Sequence, residues 1–217
     1  MTDDQKIKIV LVGESGVGKT NLIKVASGEP FDEASNSTLS SSYYEKNIII
    51  NNKKYSYSLW DTAGQEIYRS LNQMYLKNSK IVLVVFALND SISYKETEFW
   101  IKSTKDTLEE GKYLMALVGN KSDLLNEQQV SDEEVQKKAE ELKIDFKLTS
   151  AAEDAVGFRQ FLEELIIKFI KNIGFEQERV KSFSLDEEKK VEENKENENE
   201  VKKKKNVVNK KLLFYCI

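Results

Sequence analysis

Along the chain, short apolar runs rich in β-branched residues alternate with longer stretches whose apolar positions recur at helical spacing. IKIVLV (7–12) predicts a strand, and KIVLVVFALN (80–89) and KYLMALVGN (112–120) are apolar enough for strands buried on both faces of a sheet. SYYEKNIII (42–50) and KKYSYSLWD (53–61) alternate side by side around Asn51-Asn52, a hairpin turn, and DFKLTS (145–150) supplies a sixth strand. Helical spacing runs from Lys19 to about Ala26, from Ile67 to Lys77, from Ser91 to about Glu110, from Ser131 to Leu142 and from Gly157 to Lys171. Ser131 followed by Glu134 is a capping box, each side chain able to satisfy a free backbone N–H. This alternation predicts an α/β fold: a six-stranded, mostly parallel sheet with one antiparallel hairpin and five helices on its two faces.

The pattern stops in the last part of the chain. Beyond about Val180 the sequence is almost wholly charged and amide-bearing, as in LDEEKKVEENKENENEVKKKKNVVNKK (185–211). Such a composition buries too little apolar surface to offset the entropy of ordering. The expected organisation is therefore one globular domain over 1–175 and a largely disordered tail over 176–217. The formal net charge of the 217 residues is −4, which argues against a nucleic-acid binder. There is no histidine and one cysteine, Cys216, so a Cys/His zinc site, an intramolecular disulfide and a His-based triad are all excluded. The polar N-terminus lacks a signal-peptide pattern and no run is long enough to span a bilayer, so a cytosolic chain is expected.

The first strand hands over to the first helix through GESGVGKT (13–20), which fits G-x-x-x-x-G-K-[ST] with Gly13, Gly18, Lys19 and Thr20 in the required places. Between a strand and a helix, successive N–H groups of Ser15, Gly16, Val17, Gly18 and Asn21 can face one concavity, where the helix N-terminus adds positive potential. Lys19 would neutralise β- and γ-phosphate oxygens, and the Thr20 hydroxyl would take one ligand position on Mg²⁺. This motif alone leaves ATP and GTP open. The base is read by Asn120, Lys121 and Asp123 in GNKSD (119–123) and by Ser150, Ala151 and Ala152 after the sixth strand, because ligands of open α/β sheets sit beyond the strands' carboxyl ends. A carboxylate such as Asp123 can accept both the N1–H and the 2-amino hydrogen of guanine; adenine has no such donor pair and would leave that acceptor unpaired. The Lys121 stem can lie along the base plane, and the Ala151 N–H can donate to the guanine carbonyl.

In this order GESGVGKT, WDTAGQE, NKSD and TSA resemble the Ras superfamily of small GTPases, and most of all its Rab branch, over about Lys6 to Ile173. The resemblance implies a P-loop G domain that hydrolyses GTP to GDP slowly with Mg²⁺. It places Phe31 against the base edge, Thr38 on Mg²⁺ and the γ-phosphate, Asp61 behind Mg²⁺, Gly64 as a backbone donor to the γ-phosphate and Gln65 as the residue orienting the attacking water. Lys19 and Gln65 would be the catalytic side chains; positioning plus charge neutralisation suffices for phosphoryl transfer, so no histidine is required. It further implies a guanine-nucleotide exchange factor, a GTPase-activating protein and effectors that read the two switch segments, with Tyr43, Trp60 and Tyr75 as an aromatic trio between them. The large aromatics fit plain core packing equally well.

The C-terminal KKKKNVVNKKLLFYCI resembles a polybasic, lipidated anchor in outline, with Cys216 as the attachment site, although one residue follows the cysteine rather than the three of C-a-a-X. Each lysine near an anionic leaflet contributes about 1 kcal/mol, so a lipid chain and the lysines would cooperate. The expected protein is a monomer shared between cytosol and the cytoplasmic face of an intracellular membrane, acting in vesicle traffic. A guanine-nucleotide-bound scaffold that scarcely hydrolyses, another Ras-like signalling GTPase and a P-loop kinase remain as alternatives.

Overall fold

The computed structural model describes residues 6–33, 42–62 and 72–173. Contacts divide the chain into two units, Met1–Ile173 and Gly174–Ile217, and every described residue lies in the first. Six strands appear: β1 (Lys6–Val12), β2 (Ser42–Ile50), β3 (Lys53–Asp61), β4 (Ile81–Ala87), β5 (Leu114–Asn120) and β6 (Asp145–Leu148). The helices are α1 (Lys19–Ser27), α2 (Asn72–Leu76), α3 (Ser91–Thr107), α4 (Asp132–Leu142) and α5 (Ala155–Asn172). The six-stranded sheet and five helices match the architecture read from the sequence.

The strand order is β2-β3-β1-β4-β5-β6, with β2 and β3 antiparallel and every other pairing parallel. Asn51 and Asn52, both at positive φ, make the turn of the hairpin. Parallel pairing brings the carboxyl ends of β1, β3, β4, β5 and β6 to one edge of the sheet, which is where the loops carrying the sequence motifs converge.

Alternation along β1 sends Val10 and Val12 to one face, where they pack with Val82, Val84, Trp100, Ile101 and Leu117 under α3 and α4. On the opposite face α5 buries Phe158, Leu162, Leu165, Ile166 and Phe169 beside α1. All of β4 is buried, so its continuous apolar run reflects packing on both sides.

Helix ends follow local chemistry. The capping box at Ser131 and Glu134 is present, with both reciprocal hydrogen bonds formed. α5 begins at Ala155, two residues before the expected Gly157, because Asp154 caps it by accepting from the Gly157 N–H at 3.0 Å. α3 stops at Thr107 rather than near Glu110, since Leu108 turns extended and its N–H closes on the Thr104 carbonyl. Of the helix expected over Ile67–Lys77, the part before Asn72 lies outside the described residues. So does the whole segment 174–217, and with it the expected disordered tail and Cys216. Among the described residues no helix is long and apolar enough to cross a membrane.

Candidate functional site

The loop from Gly13 to Gly18 leaves β1 and enters α1 at the carboxyl edge of the sheet. Two of its glycines are required by contact as well as conformation. A Cβ on Gly13 (φ +147°) would stand 2.0 Å from the Val85 carbonyl oxygen of β4, and one on Gly18 (φ +94°) would stand 2.3 Å from the Asn120 amide nitrogen. The loop therefore lies directly on the backbone of β4 and the end of β5.

Lys19, only 5 % exposed, spans this loop from inside, its ammonium donating to the carbonyls of Gly13 and Glu14, each at 2.8 Å. Burial pulls its pKa down to about 8 from 10.5, against the opposing pull of the Asp61 and Glu14 carboxylates. A buried cation beside a loop whose carbonyls it already holds favours an incoming anion, because any negative group repays part of its desolvation. At the helix start, the Thr20 hydroxyl donates to Asp61 Oδ2 at 2.8 Å, bringing the ends of β3 and the phosphate-type loop together. Thr62, which sequence reading passed over, donates to the Leu11 carbonyl at 2.7 Å and locks β3 to β1. Its signal was its place directly after Asp61 at the end of a strand.

Asn120 joins the two halves of the site. Its Nδ2 donates to the Val17 carbonyl at 2.8 Å and its Oδ1 accepts from the Ala151 N–H at 3.1 Å, so one buried amide ties the glycine-rich loop to the loop after β6. The Ala151 N–H was expected to face a guanine carbonyl; here it is directed at Asn120, the nearest acceptor on the neighbouring strand end. The turn through Lys121, at a φ of 65°, lets the Ser122 N–H reach the Thr149 carbonyl at 3.1 Å. Asp123 thus lies beside the Thr149–Ala152 loop. Ser150 is turned inward: its Oγ accepts from the N–H groups of Ala152 and Glu153, each at 3.1 Å, which shapes that loop rather than presenting a hydroxyl.

The Asn21 side-chain amide exchanges two hydrogen bonds with the main chain of Asp32, at 2.9 and 3.3 Å, so it braces the segment after α1. That brace sets the position of Phe31, which is 41 % exposed. Ser15 and Gly16 are exposed at the tip of the loop, whereas Val17 is buried and serves through its carbonyl.

Tyr43 of β2 stacks on Trp60 of β3 with ring centroids 5.2 Å apart. Tyr43 is 56 % exposed, while Trp60 packs against the core below, and the Lys8 ammonium lies 4.6 Å over the Trp60 ring. Tyr75 is half-buried on α2. Thr38, Gly64 and Gln65 lie outside the described residues.

The donors gathered near Lys19 are oxygens: a threonine hydroxyl and an aspartate carboxylate already in contact. No group of three or more His, Cys, Asp or Glu residues able to hold a metal occurs among the described residues. Such a sparse, hard donor set fits Mg²⁺, which takes one or two protein ligands and completes its shell with phosphate oxygens and water.

Comparison with known proteins agrees with this geometry. The sequence model of the Ras family matches residues 8–173, a range that takes in every described strand and helix apart from the first two residues of β1. The chain is 35 % identical over 171 residues, 79 % of either length, to "GTP-binding protein ypt3" of Schizosaccharomyces pombe.

Proposed function

This chain belongs to the Ras family, and from that premise we propose that it is a Rab-like GTP/GDP switch, an Mg²⁺-dependent GTPase that recruits effectors in membrane traffic. The observation that carries the reading is the Asn120 bridge between the Val17 carbonyl and the Ala151 N–H. A protein that bound only phosphate would have no use for a buried strut from the phosphate loop to a loop beyond β6; one ligand with a phosphate tail and a base needs both loops in fixed register. The relative's name, a GTP-binding protein, supports the same ligand.

In this reading the loop amides and Lys19 receive the phosphates, and Asp123 selects guanine through its paired donors. Phe31 lies along the base. Thr20 would hold Mg²⁺, with Asp61 orienting that hydroxyl through their hydrogen bond; when bound, the ion supplies positive charge against the β- and γ-phosphates. Gln65 orients the attacking water, and Thr38 and Gly64 hold the two switch segments while a γ-phosphate is present. The stacked Tyr43–Trp60 pair, with one ring exposed and one anchored in the core, offers effectors a surface between those segments. Exchange factors and GTPase-activating proteins would set the lifetime of each state, because intrinsic hydrolysis in such sites is on the order of 10⁻⁴ to 10⁻² per second. The G domain spans 1–175 in this proposal, with the remaining lysine-rich segment adding attraction to an anionic membrane.

Calorimetric titration with Mg²⁺ present tests the ligand. GDP should bind far more tightly than ADP, and single-turnover GTP hydrolysis should drop sharply in Gln65→Leu. ADP binding equal to GDP would overturn the guanine assignment, and equal hydrolysis rates would remove Gln65 from its role.

A further inference from the structure

Glu14 is the second residue of the glycine-rich loop, and its side chain is directed away from that loop's concavity. Its Oε1 accepts a hydrogen bond at 3.2 Å from the indole Nε1 of Trp100, 86 residues further along the chain. Trp100 sits in the middle of α3, is 2 % exposed, and packs with Val12, Val84 and Leu76. An indole N–H can only donate, and a buried one takes an acceptor when the fold offers it. From the other side, the Glu14 carbonyl accepts from Lys19 Nζ at 2.8 Å. Residue 14 is therefore pinned twice, through its main chain by α1 and through its side chain by α3.

The charge of Glu14 makes this arrangement consequential. A carboxylate in a loop that receives phosphates repels them, and the repulsion grows steeply as the charges approach in a water-poor site. Held on the indole, the carboxylate stays on the α3 side; loss of that bond lets its charge approach the phosphates. We propose that Trp100 is a positioning residue for the nucleotide site: by holding the Glu14 carboxylate against α3 it fixes the first turn of the phosphate loop and slows release of guanine nucleotide. This rests on the nucleotide site proposed above.

Dissociation of fluorescently labelled GDP, measured with Mg²⁺ on the full chain, tests it through four proteins. Trp100→Phe should speed release about tenfold, the scale expected for losing a hydrogen bond to a charged group. Glu14→Gln keeps an oxygen for the indole and loses the charge, so it is the background in which the effect of Trp100→Phe is read a second time. Glu14→Gln added to Trp100→Phe should slow release again, because the repelling charge is gone. A merely structural role for the indole gives the opposite: the same acceleration in both backgrounds, which overturns the proposal. Should Trp100→Phe fail to fold, Glu14→Asp, which keeps the charge but is one methylene too short for the indole, is compared with Glu14→Asn, which also loses the charge; release about fivefold faster in the aspartate variant supports the proposal, and equal release overturns it. Failure of the unaltered protein to bind GDP removes the nucleotide site and this inference together, whereas normal binding without the charge-dependent rescue removes only the inference.

Discussion

Asn120→Ala removes a side chain whose two polar atoms each serve a different loop. The variant deprives the Val17 carbonyl of its 2.8 Å donor and the Ala151 N–H of its 3.1 Å acceptor, at a residue that is almost wholly buried. Leaving a buried donor or acceptor unsatisfied costs about 1–3 kcal/mol, so the two together cost about 2–6 kcal/mol, less whatever water recovers at the open side of the site. For a domain of this size that corresponds to a fall in Tm of roughly 4–24 °C. Urea unfolding of protein stripped of nucleotide measures the loss directly, and GDP titration of the same variant should show affinity at least tenfold weaker, since the phosphate and base loops are no longer in fixed register. Asn120→Asp should be no better than alanine, because its carboxylate would face the Val17 carbonyl without a proton to share. A cost below about 0.5 kcal/mol for Asn120→Ala, on the scale of an ordinary surface change, would refute the bridge as the structural basis of the site.

Two further outcomes follow from Lys19 and Thr20. The folded protein holds the Lys19 proton less tightly than the unfolded chain, at about 8 against 10.5, so stability of the stripped protein should rise as pH increases above about 8, the penalty of the buried charge being fully present below it. From about pH 10 the raised pKa values of the half-buried Tyr57 and Tyr113 act in the opposite sense, so the rise shows most cleanly as the difference between the unaltered protein and Lys19→Met; a difference independent of pH between 7 and 10 would contradict the buried-ammonium account. Phosphate binding favours the charged lysine, so GDP affinity should weaken above pH 8 with measurable proton uptake. Thr20→Val loses the hydroxyl that meets Asp61, and its GDP release in Mg²⁺ should match that of the unaltered protein in EDTA; release that still slows on adding Mg²⁺ would take Thr20 out of the metal site.

Much of this molecule could be read along the chain. Periodicity placed six strands and five helices, and the spacing of Gly13, Gly18, Lys19 and Thr20 located the cradle before any packing was known. Ser131 with Glu134 announced a helix start that the fold contains. These features are local: a backbone period, a turn or a cap involves residues within a few positions of each other, and the physical preference is complete within that window. The end of α5 nearest the site was less legible, because Asp154 competes with Gly157 as a start signal and its carboxylate wins by capping.

The pairings inside the site were decided elsewhere. Asn21 and Asn120 both carry amides suited to a ligand, yet Asn21 turns to the Asp32 main chain and Asn120 to Val17 and Ala151. No sequence window contains Glu14 and Trp100 together. Parallel register sets the ends of β1, β5 and β6 side by side, leaving loop carbonyls and N–H groups that must find partners once water is excluded. The chain by itself determined which elements form and where the glycine-rich loop stands between β1 and α1. Tertiary packing alone decided which side chains are spent holding the loops, since a buried polar group is satisfied by whatever the fold brings within reach.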